Sequence, residues 1–333
     1  MEVTAIVVNH NSGAYLGACL DALLAQDHEL LRVVVVDNAS TDGSLAVLAR
    51  YASRVDVVRN ATNRGYAGAL NDVLRHDTSD AVLVCNPDVV AAPDHVRRLA
   101  AALVADPGRG SAQGLLVRPN GRVDSTGHVA RRSRLFSNRD EGRPVERATA
   151  DAGAVFGVTG ALALHRRAML DDVAIEVDGR PERFDEDLFA YFEDVELDWR
   201  AATRGWTAWY EPRAQAVHHR RGASRHRPPL VAELNWRNRL LLLAKCDDLA
   251  SLARALPTVV LTTAIKSLVL GARNPAALVR AVAGFIRLVP RMRRKRREVQ
   301  RRASVASSVV VERWFRPFSY RAWYRAYVAR SRR

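Results

Sequence analysis

Four short segments rich in β-branched residues, at 3–8, 31–36, 55–59 and 81–85, recur at a spacing of about 25 residues. Each leads through a polar or glycine-containing turn into a helical pattern. Residues 14–25 place Leu16, Leu20, Leu23 and Leu24 on one side, with Ser12 as a candidate cap. Further helices are read after the loops at 38–44 and 63–68, and over 93–105. This alternation makes βαβ units and a mostly parallel central sheet, so the expected class is α/β, with a Rossmann-like sheet flanked by helices. Nearly continuous apolar strands fit, because helices cover both faces of such a sheet. Ligands then bind beyond the carboxyl ends of the strands. Asp37 and Asp88 stand at two of those ends and Asn63 follows a third, so the three can share a cleft.

Beyond this region the pattern loosens. Residues 110–150 are polar, Arg-rich and broken by Gly and Pro, and read as short strands and a mobile loop. Residues 154–165 form a further strand region, in which Gly157 and Gly160 permit close backbone approach. Residues 184–199 (FDEDLFAYFEDVELDW) hold seven carboxylates among Phe184, Phe189, Tyr191, Phe192 and Trp199. Burying so many unpaired carboxylates is costly, and a solvated face has no need of the aromatic bulk. Such a stretch points to an enzyme cavity. Read as one helix, it places Asp187, Asp194 and Asp198 on one face. Leu188, Phe192, Val195, Trp199 and Ala202 line the neighbouring face and dock on the sheet. Glu193 and Asp194 open the helix at its positive end, where a carboxylate stays ionised and can serve as a general base.

Three smaller motifs each allow two readings. Asp37 and its small polar loop can accept hydrogen bonds from a base or sugar edge, or simply cap the next helix. Asn86-Pro87-Asp88 can present a carboxylate to a divalent cation on a diphosphate, or be an ordinary turn. His218 and His219, followed by Arg220 and Arg221, can hold a metal and phosphate, or lie on the surface.

Charge divides the chain. From residue 239 onward there are 22 Lys or Arg against 4 Asp or Glu, whereas residues 1–238 carry 29 against 32. A near-neutral body with a basic C-terminal quarter implies an anionic partner surface. Arg254, Pro257, Lys266 and Arg273 interrupt the apolar stretches there, which argues against a transmembrane span. Arg280 and Arg287 share a helical face, the cluster 291–297 is strongly basic, and Trp314, Phe315, Phe318, Tyr320, Trp323 and Tyr324 interleave with arginine. This is the pattern of an extension lying in a membrane interface. A nucleic-acid-binding protein accounts for the charge but not for the acidic stretch, which repels a polyanion. The 3 cysteines are far apart in sequence and fit no metal spacing, in keeping with a reducing compartment. The N-terminus reads as a strand and not a signal peptide.

Taken in order, the segments 6–12 (IVVNHNS), 33–44 (VVVVDNASTDGS), 63–71 (NRGYAGALN), 86–89 (NPDV), 157–170 (GVTGALALHRRAML), 184–205 and 219–224 (HRRGAS) resemble a family 2 inverting glycosyltransferase of the GT-A fold. The similarity is strongest to the rhamnosyltransferase-like branch. It implies a GT-A domain over 1–238 and a basic amphipathic helical extension over 239–333. Asp37 would read the nucleobase, with Asn9, Asn63 and Arg64 nearby. Asn86 and Asp88 would face the diphosphate, Asp88 binding Mg2+ or Mn2+. Asn86 replaces the first carboxylate of the family's Asp-x-Asp motif, although Asn-Pro-Asp is usual in this branch. His219, or alternatively His218, would complete the metal site. Asp194 would be the catalytic base beside Glu193, with Asp187 and Asp198 as further carboxylates available to a double displacement. The implied donor is a nucleotide sugar: dTDP-rhamnose, or a UDP-sugar in a galactofuranosyl- or other hexosyltransferase. The implied acceptor is a lipid-linked (polyprenyl-diphosphate) saccharide in bacterial envelope assembly. The expected location is the cytoplasmic face of the cell membrane, with no nucleic-acid partner.

Overall fold

The apolar strands pair side by side, and the central ones, Val3–Asn9 and Ala81–Cys85, are buried along their whole length. In the computed structural model, the described residues are 1–220, 228–321 and 323–324. The N-terminal half runs β1 (Val3–Asn9), α1 (Gly13–Leu24), β2 (Leu31–Asp37), α2 (Ser44–Ala49), β3 (Asp56–Arg59), α3 (Gly65–Leu74), β4 (Ala81–Cys85), β5 (Val89–Ala91) and α4 (His95–Val104). The middle holds β6 (Arg109–Val117), β7 (Val123–Ser125), β8 (His128–Ala130), β9 (Phe136–Asn138), β10 (Gly153–Val155), β11 (Leu162–Arg166), α5 (Arg167–Asp172), β12 (Ile175–Val177) and β13 (Arg180–Glu182). Then follow α6 (Glu193–Thr203), β14 (Thr207–His218), α7 (Pro228–Cys246), α8 (Leu249–Arg273), α9 (Pro275–Arg302) and α10 (Ser307–Trp314).

The main sheet is 10-stranded, in the order β10-β14-β6-β11-β4-β1-β2-β3, with β5 on β14 and β7 on β6. The block β3-β2-β1-β4 is parallel, and β11 enters antiparallel between β4 and β6. Alternate residues of β1 enter opposite cores, as the two-residue strand period requires. Val3, Ala5 and Val7 pack with Leu16, Leu20 and Leu23 of α1. Ile6 and Val8 pack with Leu70 and Leu74 of α3 and Leu197 and Ala201 of α6.

The acidic stretch differs from a single helix. Asp185 caps one 3-10 turn, Glu186–Leu188, by accepting the Asp187 N–H at 3.1 Å, and α6 starts afresh at Glu193. Asp187 therefore shares no helical face with Asp194 and Asp198. The five apolar residues read as docking on the sheet face the other way. Val195, Trp199 and Ala202, with Phe192 beside them, pack against Leu242, Leu243 and Phe315. Leu188 packs with Leu241, Leu288 and Met292. The reason is that α6 lies between two apolar layers, the sheet beneath and the C-terminal helices above, so it needs two apolar faces. Phe315 is accordingly core, with only 3% of its surface exposed, and not an interfacial aromatic.

The basic quarter also turns partly inward. Lys245 Nζ lies 2.6 Å from Asp185 and 2.7 Å from Glu196. Lys295 Nζ lies 2.7 Å from Glu182 and 2.9 Å from Asp187, and also meets Asp185. Arg291 pairs with Asp187 at 3.3 Å. Part of the 291–297 cluster thus neutralises the acidic stretch, while Arg293, Arg294 and Arg297 stay exposed. The helix α7 runs unbroken across residues 238 and 239. The interruptions read in the apolar stretches do not break α8 either. It continues for 25 residues through Pro257, which removes one backbone donor without ending the helix. By length and composition it is long and apolar enough to cross a membrane, with 22% buried over its most apolar stretch.

Removing one partner from a buried ion pair strands the others. Lys295→Ala should therefore lower unfolding stability by about 3–5 kcal/mol, read from urea denaturation. A loss below about 1 kcal/mol, the value of an exposed pair, would contradict this account.

Candidate active site

The carboxyl ends of β1 and β2 are in register, Asn9 opposite Asp37. Asn9 Nδ2 donates to Asp37 Oδ1 at 3.1 Å and to Ser40 Oγ at 3.0 Å, and the Ser40 N–H donates to Asp37 Oδ2 at 3.3 Å. Buried and bonded from two sides, the Asp37 carboxylate is held rigid at the cleft wall. Asn38 ties the neighbouring loop to it. Its Nδ2 donates to Asn63 Oδ1 at 2.9 Å and to the Gly65 carbonyl at 3.0 Å, and its Oδ1 accepts the Arg64 N–H at 3.0 Å. The Arg64 guanidinium is engaged by Asp72 at 2.7 Å and Glu186 at 3.1 Å.

At the end of β4, the Asn86 N–H bonds the Ala161 carbonyl of the adjoining chain segment at 2.8 Å. Asp88, two residues on, is buried. His218, at the end of β14, turns Nε2 toward Asp88 Oδ1 at 3.4 Å, while its Nδ1 meets Asp124 Oδ2 at 2.8 Å. Asp124 also takes Arg118 at 2.8 Å and Arg220. His219 meets Asp88 through its backbone N–H at 3.0 Å, and its ring tilts against Tyr15. Residues 221–224 of the sequence motif lie outside the described residues. Of the two histidine side chains, it is that of His218 which reaches Asp88. Among the described residues no group of three or more His, Cys, Asp or Glu could hold a metal ion alone. Asp88 with His218 still fits a divalent ion that completes its shell with diphosphate oxygens and water, as Mg2+ commonly does. The carboxylate behind His218 is the support such ligands usually have.

Across the cleft, most of the acidic stretch is consumed by partners. Asp185, Asp187 and Glu196 meet the lysines described above, and Glu196 also pairs with Arg200 at 2.6 Å. Glu186 takes Arg64 and Arg75, the latter at 2.8 Å. Asp198 accepts the Val158 N–H at 3.1 Å and lies 2.7 Å from His128 Nδ1. Among the described residues, Glu193 and Asp194 pair with no lysine or arginine. The Asp194 Oδ2 accepts the Gly160 N–H at 3.0 Å and lies 3.5 Å from His128 Nε2. The buried Glu193 keeps Oε2 without a hydrogen-bond partner. Burial and the Asp194 charge hold its carboxyl well above the ordinary value, which favours its protonated form.

His128 stands between two carboxylates. Burial opposes its charge, but Asp194 and Asp198 push the imidazole above its ordinary value. Burial lifts Asp198 to about 6 against the pull of His128. Tyr66 links the two walls of the cleft. Its hydroxyl donates to the Gly160 carbonyl at 2.6 Å. Burial, helped by the acidic side chains around it, raises the phenol well above its usual range. The segment ahead of Glu193 is strained, since Phe189, Tyr191 and Phe192 have φ of 67°, 67° and 70°. Each costs roughly 1–3 kcal/mol and persists because the surroundings impose it.

The structure thus brings Asn9, Asp37, Asn63 and the Arg64 backbone together, sets Asp88 with His218, and places Asp194 beside Glu193. Sequence reading missed His128, Asp124, Asn38 and Tyr66. His128 and Asp124 lie in the irregular 110–150 stretch, where no periodicity marks them, and they reach the site only through β7 and β8.

A strand-end cleft of this kind on an α/β sheet is the layout of a GT-A-like transferase. The chain belongs to glycosyl transferase family 2, which it matches over residues 4–174. It is 26% identical over 238 residues to N-acetylglucosaminyl-diphospho-decaprenol L-rhamnosyltransferase of Mycobacterium tuberculosis, covering 65% of this chain and 75% of that protein. Its fold is similar to mannosyltransferase PcManGT of Pyrobaculum calidifontis, solved with GDP-Man and Mn2+. The TM-score is 0.53, with 22% identity over 94% of this chain and 87% of that one. It is also similar to S. aureus TarS 1–349 in complex with UDP-GlcNAc, with a TM-score of 0.56 and 18% identity over 90% of each chain.

The Glu193 proton makes stability pH-dependent. The folded state keeps it, while the unfolded chain releases it near the ordinary 4.5. This contribution is full below that pH and is lost as pH rises toward the folded value. Glu193→Gln removes the linkage. The Gln-minus-Glu stability difference should climb as pH rises above the ordinary 4.5, by no more than about 1.4 kcal/mol per pH unit. A pH-independent difference in melting temperature would show that Glu193 is not protonated in the fold.

Proposed function

We propose that the protein is an inverting, divalent-metal-dependent hexosyltransferase that moves L-rhamnose from dTDP-rhamnose to a polyprenyl-diphosphate-linked saccharide. The observation that carries the mechanism is the pairing of the acidic stretch. Asp187 is taken by Lys295 and Arg291, and Asp198 by His128 and the Val158 N–H. Neither is free to act as the nucleophile of a double displacement, which favours a single displacement with Asp194 as base. The sugar and the acceptor rest on similarity to the mycobacterial rhamnosyltransferase.

In this reading Asp37, Asn9, Asn63 and the Arg64 loop hold the nucleotide, with Asn86 and Asp88 toward the diphosphate. Mg2+ or Mn2+ bound by Asp88 with His218, and His219 alongside, would neutralise charge on the departing diphosphate. Asp194 accepts the proton of the acceptor hydroxyl as its oxygen bonds to the anomeric carbon. The bond from that carbon to the diphosphate oxygen breaks, and its electron pair leaves with the nucleoside diphosphate. Attack from the opposite face inverts the configuration. His128, backed by Asp198, orients Asp194, and the protonated Glu193 adds no second negative charge.

The C-terminal helices support a membrane-surface location on the cytoplasmic side. Leu249, Leu268, Val279 and Ile286 are 74%, 73%, 67% and 65% exposed. On α9, Val279, Val282 and Ile286 follow each other at helical spacing, and the same face continues into the exposed Arg293 and Arg297. An apolar stripe running into a basic one matches an anionic bilayer surface.

Two experiments test this reading. A nucleotide-sugar panel, read by thermal shift and by turnover with and without Mg2+ or Mn2+, should single out dTDP-rhamnose. Asp194→Asn should lose at least ~100-fold in kcat while keeping donor affinity, and Asp88→Ala should lose metal-dependent donor binding. Normal turnover in Asp194→Asn removes the base assignment. Separately, the protein should sediment with anionic vesicles and not with neutral ones, and Arg293→Glu with Arg297→Glu should weaken this. Strong duplex-DNA binding without vesicle binding would instead favour a nucleic-acid role for the basic quarter.

A further inference from the structure

The turn that delivers Asp194 is held open to its left-handed conformation from outside. The carbonyls of Leu188, Ala190 and Tyr191 converge on one side chain, Asn238 of α7. Its Nδ2 lies 2.8, 2.9 and 2.8 Å from them, so its two N–H donors are shared among three carbonyls. Asn238 is completely buried. Its Oδ1 accepts the Arg237 Nε–H at 2.9 Å, which sets the amide so that the donor end faces the turn. Arg237 Nη2 adds bonds to the Leu188 carbonyl at 3.1 Å and the Asp187 carbonyl at 3.3 Å. On the opposite side, the Phe189 carbonyl accepts the N–H groups of Tyr66 at 2.6 Å and Ala67 at 3.3 Å. Lys245 lies seven residues beyond Asn238, hence on the same helical face, and holds Asp185 at the start of the segment. α7 therefore grips both ends of the stretch between Asp185 and Tyr191.

We infer that Asn238 is a positioning residue for glycosyl transfer: it fixes the strained turn, and through it Asp194, in the geometry the reaction needs. This rests on Asp194 being the base. Among the described residues, the hydrogen bonds of the Asn238 side chain go to Leu188, Ala190, Tyr191 and Arg237 and to none of Asn9, Asp37 or Asn63, so its loss should act on turnover and leave donor affinity intact.

The test uses the full-length protein. Asn238→Ser keeps one donor and loses the other, and Asn238→Asp keeps the shape but turns a carboxylate toward the three carbonyls. For Asn238→Ser, kcat should fall about 10- to 100-fold, with the nucleotide-sugar Kd within about threefold of wild type. The Asp variant should lose more. Hydrogen exchange over residues 188–195 should quicken in the Ser variant while strands β1 and β4 keep their protection. Wild-type kcat with wild-type exchange overturns the inference. So does donor affinity falling in step with kcat, which marks general destabilisation. Asp194→Asn, assayed alongside, separates the two ideas. If it stays active the base assignment fails, and the exchange experiment still decides whether Asn238 holds the turn.

Discussion

The buried encounter of Asp185, Asp187 and Glu196 with Lys245 and Lys295 is the interaction on which the rest of this structure depends. Ions taken out of water are tolerated only when paired and hydrogen-bonded. Here both lysines come from the C-terminal helices, and the carboxylates come from the stretch that carries Glu193 and Asp194. Neutralisation lets that stretch lie against the sheet. Among the described residues, it also leaves Glu193 and Asp194 without a lysine or arginine. Charges that look redundant in the sequence are thus sorted by geometry into paired and unpaired ones.

The N-terminal half was legible because strand burial on both faces writes itself as apolar runs, and the ends of those runs are where Asp37 and Asp88 stand. The acidic stretch was harder. Its composition announced a special environment, but a helical period laid across residues 184–199 passed over the left-handed turn at Phe189, Tyr191 and Phe192. No glycine marks that turn, because its conformation is imposed by contacts with α3 and α7. The apolar face of α6 was assigned to the sheet because a single sequence does not show a second apolar layer above it. His128 and Asp124 carried no local signal, since each matters only through a partner some 70 to 94 residues away.

The cleft has a repeated construction. Asp124 backs His218, which faces Asp88. Asp198 backs His128, which faces Asp194. Asp124 and His128 come from β7 and β8, which are consecutive in the chain and joined by a short turn in which Gly127 has φ 116°. One short segment therefore serves both constellations, and the Tyr66 hydroxyl bonds the carbonyl of Gly160, whose N–H holds Asp194.

The passage of α7 across residues 238 and 239 bears on modularity. A polypeptide ended at that point would retain Asn9, Asp37, Asn63, Arg64, Asp88 and Asp194. It would lose both lysines that balance Asp185 and the layer that covers Trp199. The basic quarter is thus no detachable appendage on a self-sufficient body. Exchanging it for another segment would mean rebuilding the roof over α6.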